Sequence, residues 1–345
     1  MKKLFSVILA ACLVALSAIP AFAATMADGT GVLTDQFVYG EGPEIKGWKI
    51  DYRYFSPVKE NDSTKYPLVI WLHGMGNGSE DGIQVSASNV SYWSSEEFQS
   101  RFTNGGAFIL AARSDETKGV CWNESTIEPL KAAIDEFIAK NKDNIDLTRI
   151  YVGGYSMGGK MTLKMAVAYP EMFAAAFPIC PAWAPSEKAL SYVADMPIWL
   201  TSGKTDPLVN YYFNVSKTFE KLSEISNTPE NVRFSTLKKV CFEDGKRCAS
   251  AHHSWYSVNH DMFSKENGDY PHMSTVNGLG EEVKLTYPNG MISWLCSHTS
   301  DYNGEASTGK GNLEEIKGVD SMVGISDILD FFRTLFAAIK DIFTF

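Results

Sequence analysis

Ile150-Tyr151-Val152-Gly153-Gly154-Tyr155-Ser156-Met157-Gly158-Gly159 carries the pattern that decides the fold. An apolar run of strand character leads into Gly-x-Ser-x-Gly, and a helix-forming apolar stretch, Met161 to Ala168, follows. A strand that reverses this tightly into a helix forces strained backbone angles on the serine, so small residues are needed two places to either side. The reversal lifts the Ser156 hydroxyl to the top of a sheet. It also sets the Met157 N–H at a helix N-terminus, where the helix dipole favours an oxyanion. Strand before and helix after turn a common five-residue pattern into a nucleophile elbow, and point to serine-based hydrolysis.

Outward from the elbow, strand-like and helix-like stretches alternate from Trp48 onward, the signature of a mostly parallel sheet covered by helices on both faces. Trp48 to Phe55 alternates as an early antiparallel strand. Tyr66 to Leu72 is continuously apolar, as expected of a strand buried on both faces, and Ala107 to Ala112 is another such run. Ile127 to Ile138 puts Leu130, Ala133, Ile134 and Phe137 on one helical face. Phe173 to Ile179, Pro197 to Thr201 and Val232 to Leu237 supply further strands, with a helix over Tyr212 to Leu222 and a closing helix from Gly290.

A serine hydroxyl needs a neighbouring base, and the base needs an orienting acid; on such a sheet they follow in the order Ser, Asp/Glu, His. Asp206 leaves the C-terminal end of the Pro197–Thr201 strand, where open α/β sheets build their sites. Asp195 lies before that strand, at the wrong end. The base must come after Val232–Leu237, and Ala251-His252-His253-Ser254-Trp255 is the first histidine-bearing stretch there; spacing leaves His252 and His253 both open. The oxyanion hole needs a second N–H from the loop after Leu68–Leu72. His73-Gly74-Met75-Gly76 stands there, with Met75 the expected donor beside Met157 and His73 a holder of the loop.

These segments resemble the secreted α/β-hydrolases grouped with polyhydroxybutyrate-depolymerase-like, feruloyl and acetylxylan esterases, which are similar in turn to prolyl-oligopeptidase-type hydrolases. His73-Gly74, Asp146 to Gly159 and Ser202-Gly203-Lys204-Thr205-Asp206 carry the likeness, which runs from about Trp48 to His298. The resemblance implies an α/β-hydrolase fold and a serine esterase that forms an acyl-enzyme and needs no metal or organic cofactor. In such proteins a His-x-Ser-Trp segment carries the base, which assigns it to His252. Trp122, in Cys121-Trp122-Asn123, resembles a Trp lining the acyl or alcohol pocket, with a core aromatic as the plain alternative. Tyr155 is the second residue expected against substrate. Two other readings stay open: a prolyl-oligopeptidase-type peptidase, and an inactive hydrolase fold used as a surface-binding module. Only about forty residues separate the expected mature N-terminus from the Leu68 strand, which leaves no room for the large N-terminal domain usual in the peptidases.

The ends read differently. Lys2 and Lys3, the apolar Leu4 to Ile19 and Ala21-Phe22-Ala23 make a secretion signal over residues 1–23 of the short bacterial kind. The catalytic domain is expected over 24–298, with an aperiodic stretch at 256–282 as a lid or surface loop. A polar, Gly-rich linker is expected over 299–318 and an amphipathic helix over 319–345. Charges interrupt that helix, so it is read as docking on protein, on a second copy or at a membrane interface rather than crossing one. The net charge of −10 and the lack of a basic patch argue against nucleic acid as a partner. With Cys12 removed an odd number of cysteines is left, and Cys241 and Cys248 bracket a loop short enough to close locally.

Overall fold

The computed structural model describes residues 31–118, 121–241, 248–260, 272–286, 289–305 and 310–317. The signal segment at 1–23 and the helix expected over 319–345 lie outside the described residues.

Eleven strands are numbered in chain order: β1 Val38–Glu41, β2 Asp51–Phe55, β3 Tyr66–Leu72, β4 Phe108–Arg113, β5 Ile145–Tyr155, β6 Ala175–Ile179, β7 Ile198–Gly203, β8 Val232–Leu237, β9 Val240–Cys241, β10 Cys248–Ala249 and β11 Met273–Asn277. Nine of them form one sheet in the order β1-β2-β4-β3-β5-β6-β7-β8-β11. The six strands from β4 to β8 run parallel. β1, β2 and β11 pair antiparallel at the two edges. This is the α/β-hydrolase architecture.

Strand alternation divides the core in two. On β3, Leu68, Ile70 and Leu72 point into one apolar layer and Val69 and Trp71 into the other, all fully buried. The first layer is closed by helices α1 (Ile127–Lys140) and α2 (Met157–Ala168), which contribute Leu130, Ile134, Phe137, Met161 and Leu163. The second collects Trp93, Phe98 and, from short helices α4 (Trp255–His260) and α5 (Met291–Cys296), Trp255 and Trp294. Helix α3 (Lys217–Ile225) sends Leu222 into the first layer. Burial of this kind stabilises at roughly 25 cal/mol per Å² of apolar surface, which is why the parallel strands read as unbroken hydrophobic runs.

Two stretches differ from expectation. Residues 256–282 were expected as a lid or loop, yet their described parts supply most of α4 and the edge strand β11, which pairs with β8. The segment expected as a linker holds helix α6 (Lys310–Lys317), whose Ile316 is fully buried in the first layer and whose Glu315 pairs with Lys188. Asn312 Nδ2 also donates to Val167 O at 2.8 Å. The hydrolase domain therefore extends past residue 298. No described helix is long and apolar enough to cross a membrane. Cys241 is disulfide-bonded, and ladder register sets it opposite Cys248; Cys121, Cys180 and Cys296 are free thiols.

Candidate active site

β5 ends at Tyr155 and α2 begins at Met157, so Ser156 alone makes the turn, at φ 56° and ψ −117°. An L-residue at positive φ is strained, and such strain persists only where the surroundings over-determine it. Here they do. Ser156 N–H donates to Ile179 O at 2.9 Å, and Ser156 O accepts from Lys160 N–H at 2.9 Å and Ala182 N–H at 3.1 Å. A Cβ at Gly154 or Gly158 would be driven into Leu72 O, so the glycines flanking the serine let α2 close directly onto the end of β3.

The loop after β3 is braced from below. His73 is fully buried; its Nδ1 donates to Gly74 O at 2.8 Å and its Nε2 accepts from Ser114 N–H at 3.0 Å. Burial pushes its pKa down to about 4, which keeps it neutral in that tautomer. Asn77 N–H donates to Gly74 O at 3.2 Å, closing a turn in which Gly76 takes φ 90°, a position suited to glycine. The Gly76 N–H is held by the Glu116 carboxylate at 2.8 and 2.9 Å, whose pKa burial raises. Met75, half exposed at the tip, forms part of the pocket wall.

Asp206 leaves β7 through a tight turn and is 1% exposed. Its Oδ1 accepts from Leu208 N–H at 2.8 Å and Val209 N–H at 3.0 Å. His252 stands on a single turn, Ala251–His253, packed so closely on β7 that a Cβ at Gly203 would strike Ala251 O. Its Nδ1 meets the Asp206 carboxylate at 2.9 and 3.0 Å. Burial works against the imidazolium, but the Cys180 sulfur and the Asp206 carboxylate outweigh it and hold the pKa well above the ordinary imidazole value.

Ser156, Met157, Met75, Tyr155, His252 and His253 all border one cavity of about 380 Å³, completed by Gly76, Ala182, Leu208 and Val209. The lining carries no lysine, arginine or carboxylate. His253 faces this cavity with its pKa lowered to about 4, mainly by burial and then by the neighbouring His252. Tyr155 is 6% exposed, and its hydroxyl accepts from Asn77 Nδ2 at 3.0 Å. Trp122 does not reach the cavity. It is fully buried, its Nε1–H donates to His73 O at 2.9 Å, and its ring lies 5.1 Å from that of His73. Its pocket assignment is corrected accordingly: it is a core aromatic that steadies the loop after β3.

Three participants had no local signal in the sequence. Glu116 and Asn77 grip the loop after β3 from positions that no motif marks. Cys180 follows β6 at φ 35°, fully buried, with Sγ donating to His252 O at 3.5 Å. Among the described residues, two groups of side chains gather ligand-type atoms within 4.8 Å of one another: His73, Glu116 and Cys121, and Cys180, Asp206 and His252. In the first, both His73 nitrogens and the Glu116 carboxylate are already committed to backbone partners.

Comparison with known proteins identifies the family. Residues 55–246 match the phospholipase/carboxylesterase family. Poly(3-hydroxybutyrate) depolymerase of Ralstonia pickettii is 27% identical over 180 residues, which is 48% of this chain and 35% of that protein. Feruloyl esterase B of Neurospora crassa is 29% identical over 134 residues, 36% of this chain and 41% of that one. The chain thus spans well under half the length of these relatives. A thermostable esterase of known structure superposes with a TM-score of 0.57 at 27% identity, covering 77% of this chain and 64% of its own.

Proposed function

The chain belongs to the phospholipase/carboxylesterase family, and on that premise we propose that it is an exported serine esterase working through an acyl-enzyme. One observation carries the reading: His252, buried with Nδ1 2.9 Å from the Asp206 carboxylate, borders the same cavity as a serine on a strained elbow. In this mechanism Ser156 Oγ attacks the ester carbonyl while His252 Nε2 takes its proton. Asp206 fixes the Nδ1–H tautomer and stabilises the imidazolium that forms. The Met75 and Met157 N–H groups receive the oxyanion, each contributing roughly 10²–10³ in kcat. His252 then protonates the leaving alcohol, and water deacylates the enzyme by the reverse path.

The cavity favours a neutral, largely apolar acyl group, since burying a carboxylate without a partner is costly. A feruloyl or acetyl ester of a polysaccharide, or a polyester, meets that requirement. Export is supported by the segment at 1–23 and by the disulfide at Cys241, which suits an oxidising compartment.

The test is fluorophosphonate labelling of wild type and Ser156→Ala, followed by turnover of methyl ferulate, acetylated xylan, short p-nitrophenyl esters and a prolyl-peptide amide. Labelling confined to Ser156 with preference for esters is expected. Faster cleavage of the amide would replace the esterase by a peptidase, and absence of labelling would make the fold a binding module.

A further inference from the structure

Cys180 takes no part in the steps above, yet its sulfur lies against the pair that would drive them. The residue follows β6 at φ 35°, a conformation in which glycine would spare the strain that any side chain incurs. Its backbone is pinned, with N–H donating to Thr201 O at 2.7 Å. The side chain is fully buried and donates to His252 O at 3.5 Å. Sγ, a ring nitrogen of His252 and a carboxylate oxygen of Asp206 all lie within 4.8 Å of one another. Nδ1, 2.9 Å from Asp206 Oδ2, is the ring nitrogen on the carboxylate side.

Sulfur, imidazole nitrogen and carboxylate oxygen form a donor set suited to zinc. Bonds of roughly 2.0–2.3 Å put the ligand atoms of a tetrahedral ion about 3.3–3.8 Å apart, within reach of the present separations after small side-chain adjustments. Oδ1 already carries the Leu208 and Val209 N–H bonds besides its 3.0 Å contact with Nδ1, so Oδ2 is the oxygen a cation would take. The His73, Glu116 and Cys121 group offers no comparable vacancy, because its nitrogen and oxygen donors hold backbone groups.

We propose that Cys180, Asp206 and His252 bind a thiophilic divalent cation, with zinc as the type case, and that its occupancy reversibly arrests hydrolysis. The cation takes the sulfur as thiolate, Oδ2 as carboxylate and Nδ1 through its lone pair. The thiol proton leaves to solvent. Neutral imidazole keeps one proton, which moves from Nδ1 to Nε2, so the nitrogen that would accept the serine proton becomes a donor. Cation binding stands on geometry alone. The arrest rests on the reading of Ser156 and His252 as nucleophile and base.

The experiment uses the full chain with Cys121→Ser and Cys296→Ser as background, which leaves Cys180 as the free thiol among the described residues. Cobalt(II) is the optical probe and zinc in chelator buffer the inhibitor. A sulfur-to-cobalt charge-transfer band is expected in this background and also when Ser156→Ala is added, and it should vanish with Cys180→Gly, the substitution that suits the positive φ. Zinc should inhibit reversibly on addition of EDTA, and Cys180→Gly should raise the inhibitory concentration roughly tenfold or more. Absence of the band, its survival in Cys180→Gly, or unchanged zinc sensitivity in that variant overturns the proposal. An inactive protein that still shows the band would refute the hydrolase reading while leaving the cation site standing.

Discussion

His252 Nδ1 lies 2.9 and 3.0 Å from the two carboxylate oxygens of Asp206, and both side chains are buried. A carboxylate can only accept at that distance, so the imidazole must carry its proton on Nδ1. Asp206→Asn offers an amide in its place and favours the opposite tautomer. Its carbonyl can still accept from Leu208 and Val209, so the loop should hold. We expect kcat to fall by about 10⁴, the loss seen when a triad aspartate becomes asparagine, with the melting temperature nearly unchanged. A loss of only a few-fold would assign the acid elsewhere.

His252 and His253 are adjacent, border the same cavity and differ in their partners. His252 bonds the Asp206 carboxylate through Nδ1, while His253 is held neutral by burial, with its pKa near 4. His252→Ala should therefore reduce kcat by several orders of magnitude. His253→Ala should change KM more than kcat, by a few-fold. Steady-state kinetics on one soluble ester distinguishes them, and the reverse ranking would move the base by one residue.

The φ of 56° at Ser156 separates catalysis from stability. Ser156→Ala and Ser156→Gly should both abolish turnover. The glycine variant should also be the more stable of the two, by about 1 kcal/mol, because its backbone accepts that angle without strain. Denaturant titration of the pair reads this directly. Equal midpoints would mean that the elbow stores no strain.

Acid should destabilise the fold in a defined window. His73 is fully buried with its pKa pushed down to about 4, so the unfolded chain binds a proton near pH 6.5 that the native state refuses. Its contribution is complete above about pH 6.5 and shrinks as pH falls toward 4, by up to about 3 kcal/mol. His252, whose pKa moves upward, acts with the opposite sign: its stabilisation is present at low pH and fades as pH rises through the folded pKa. Melting temperature measured across this range should slope less steeply in His73→Gln than in wild type. Identical slopes would show that His73 is not the group refused.

Local pattern carried the parallel strands and the strand-to-helix elbow, because each depends on neighbours within a few residues. β3 and β4 fall where their apolar runs lie, since a strand buried on both faces is continuously hydrophobic. β11 escaped notice because Met-Ser-Thr-Val-Asn is a half-exposed edge pairing with one strand only. Helix α6 was hidden by its polar composition; it is anchored chiefly by Ile316 and Leu313. Trp122 shows where sequence stops informing: a core indole and a pocket indole look alike until the carbonyl it bonds, His73 O, is known. Cys180 and Glu116 meet their partners only through the fold, across 72 and 40 positions of chain.

The contact of Gly154 and Gly158 with Leu72 O gives the site a seam. On one side, the elbow and the loop after β3 touch without a side chain between them. On the other, Asp206 and His252 ride on separate connections that meet across Gly203 and Ala251. The cavity wall formed by Ala182, Leu208 and Val209 borders that seam and belongs to neither glycine contact. On the proposed reading, reshaping that wall would change which acyl chain is admitted and leave the glycine contacts between elbow and loop in place, so the scaffold could change its diet without relearning its chemistry.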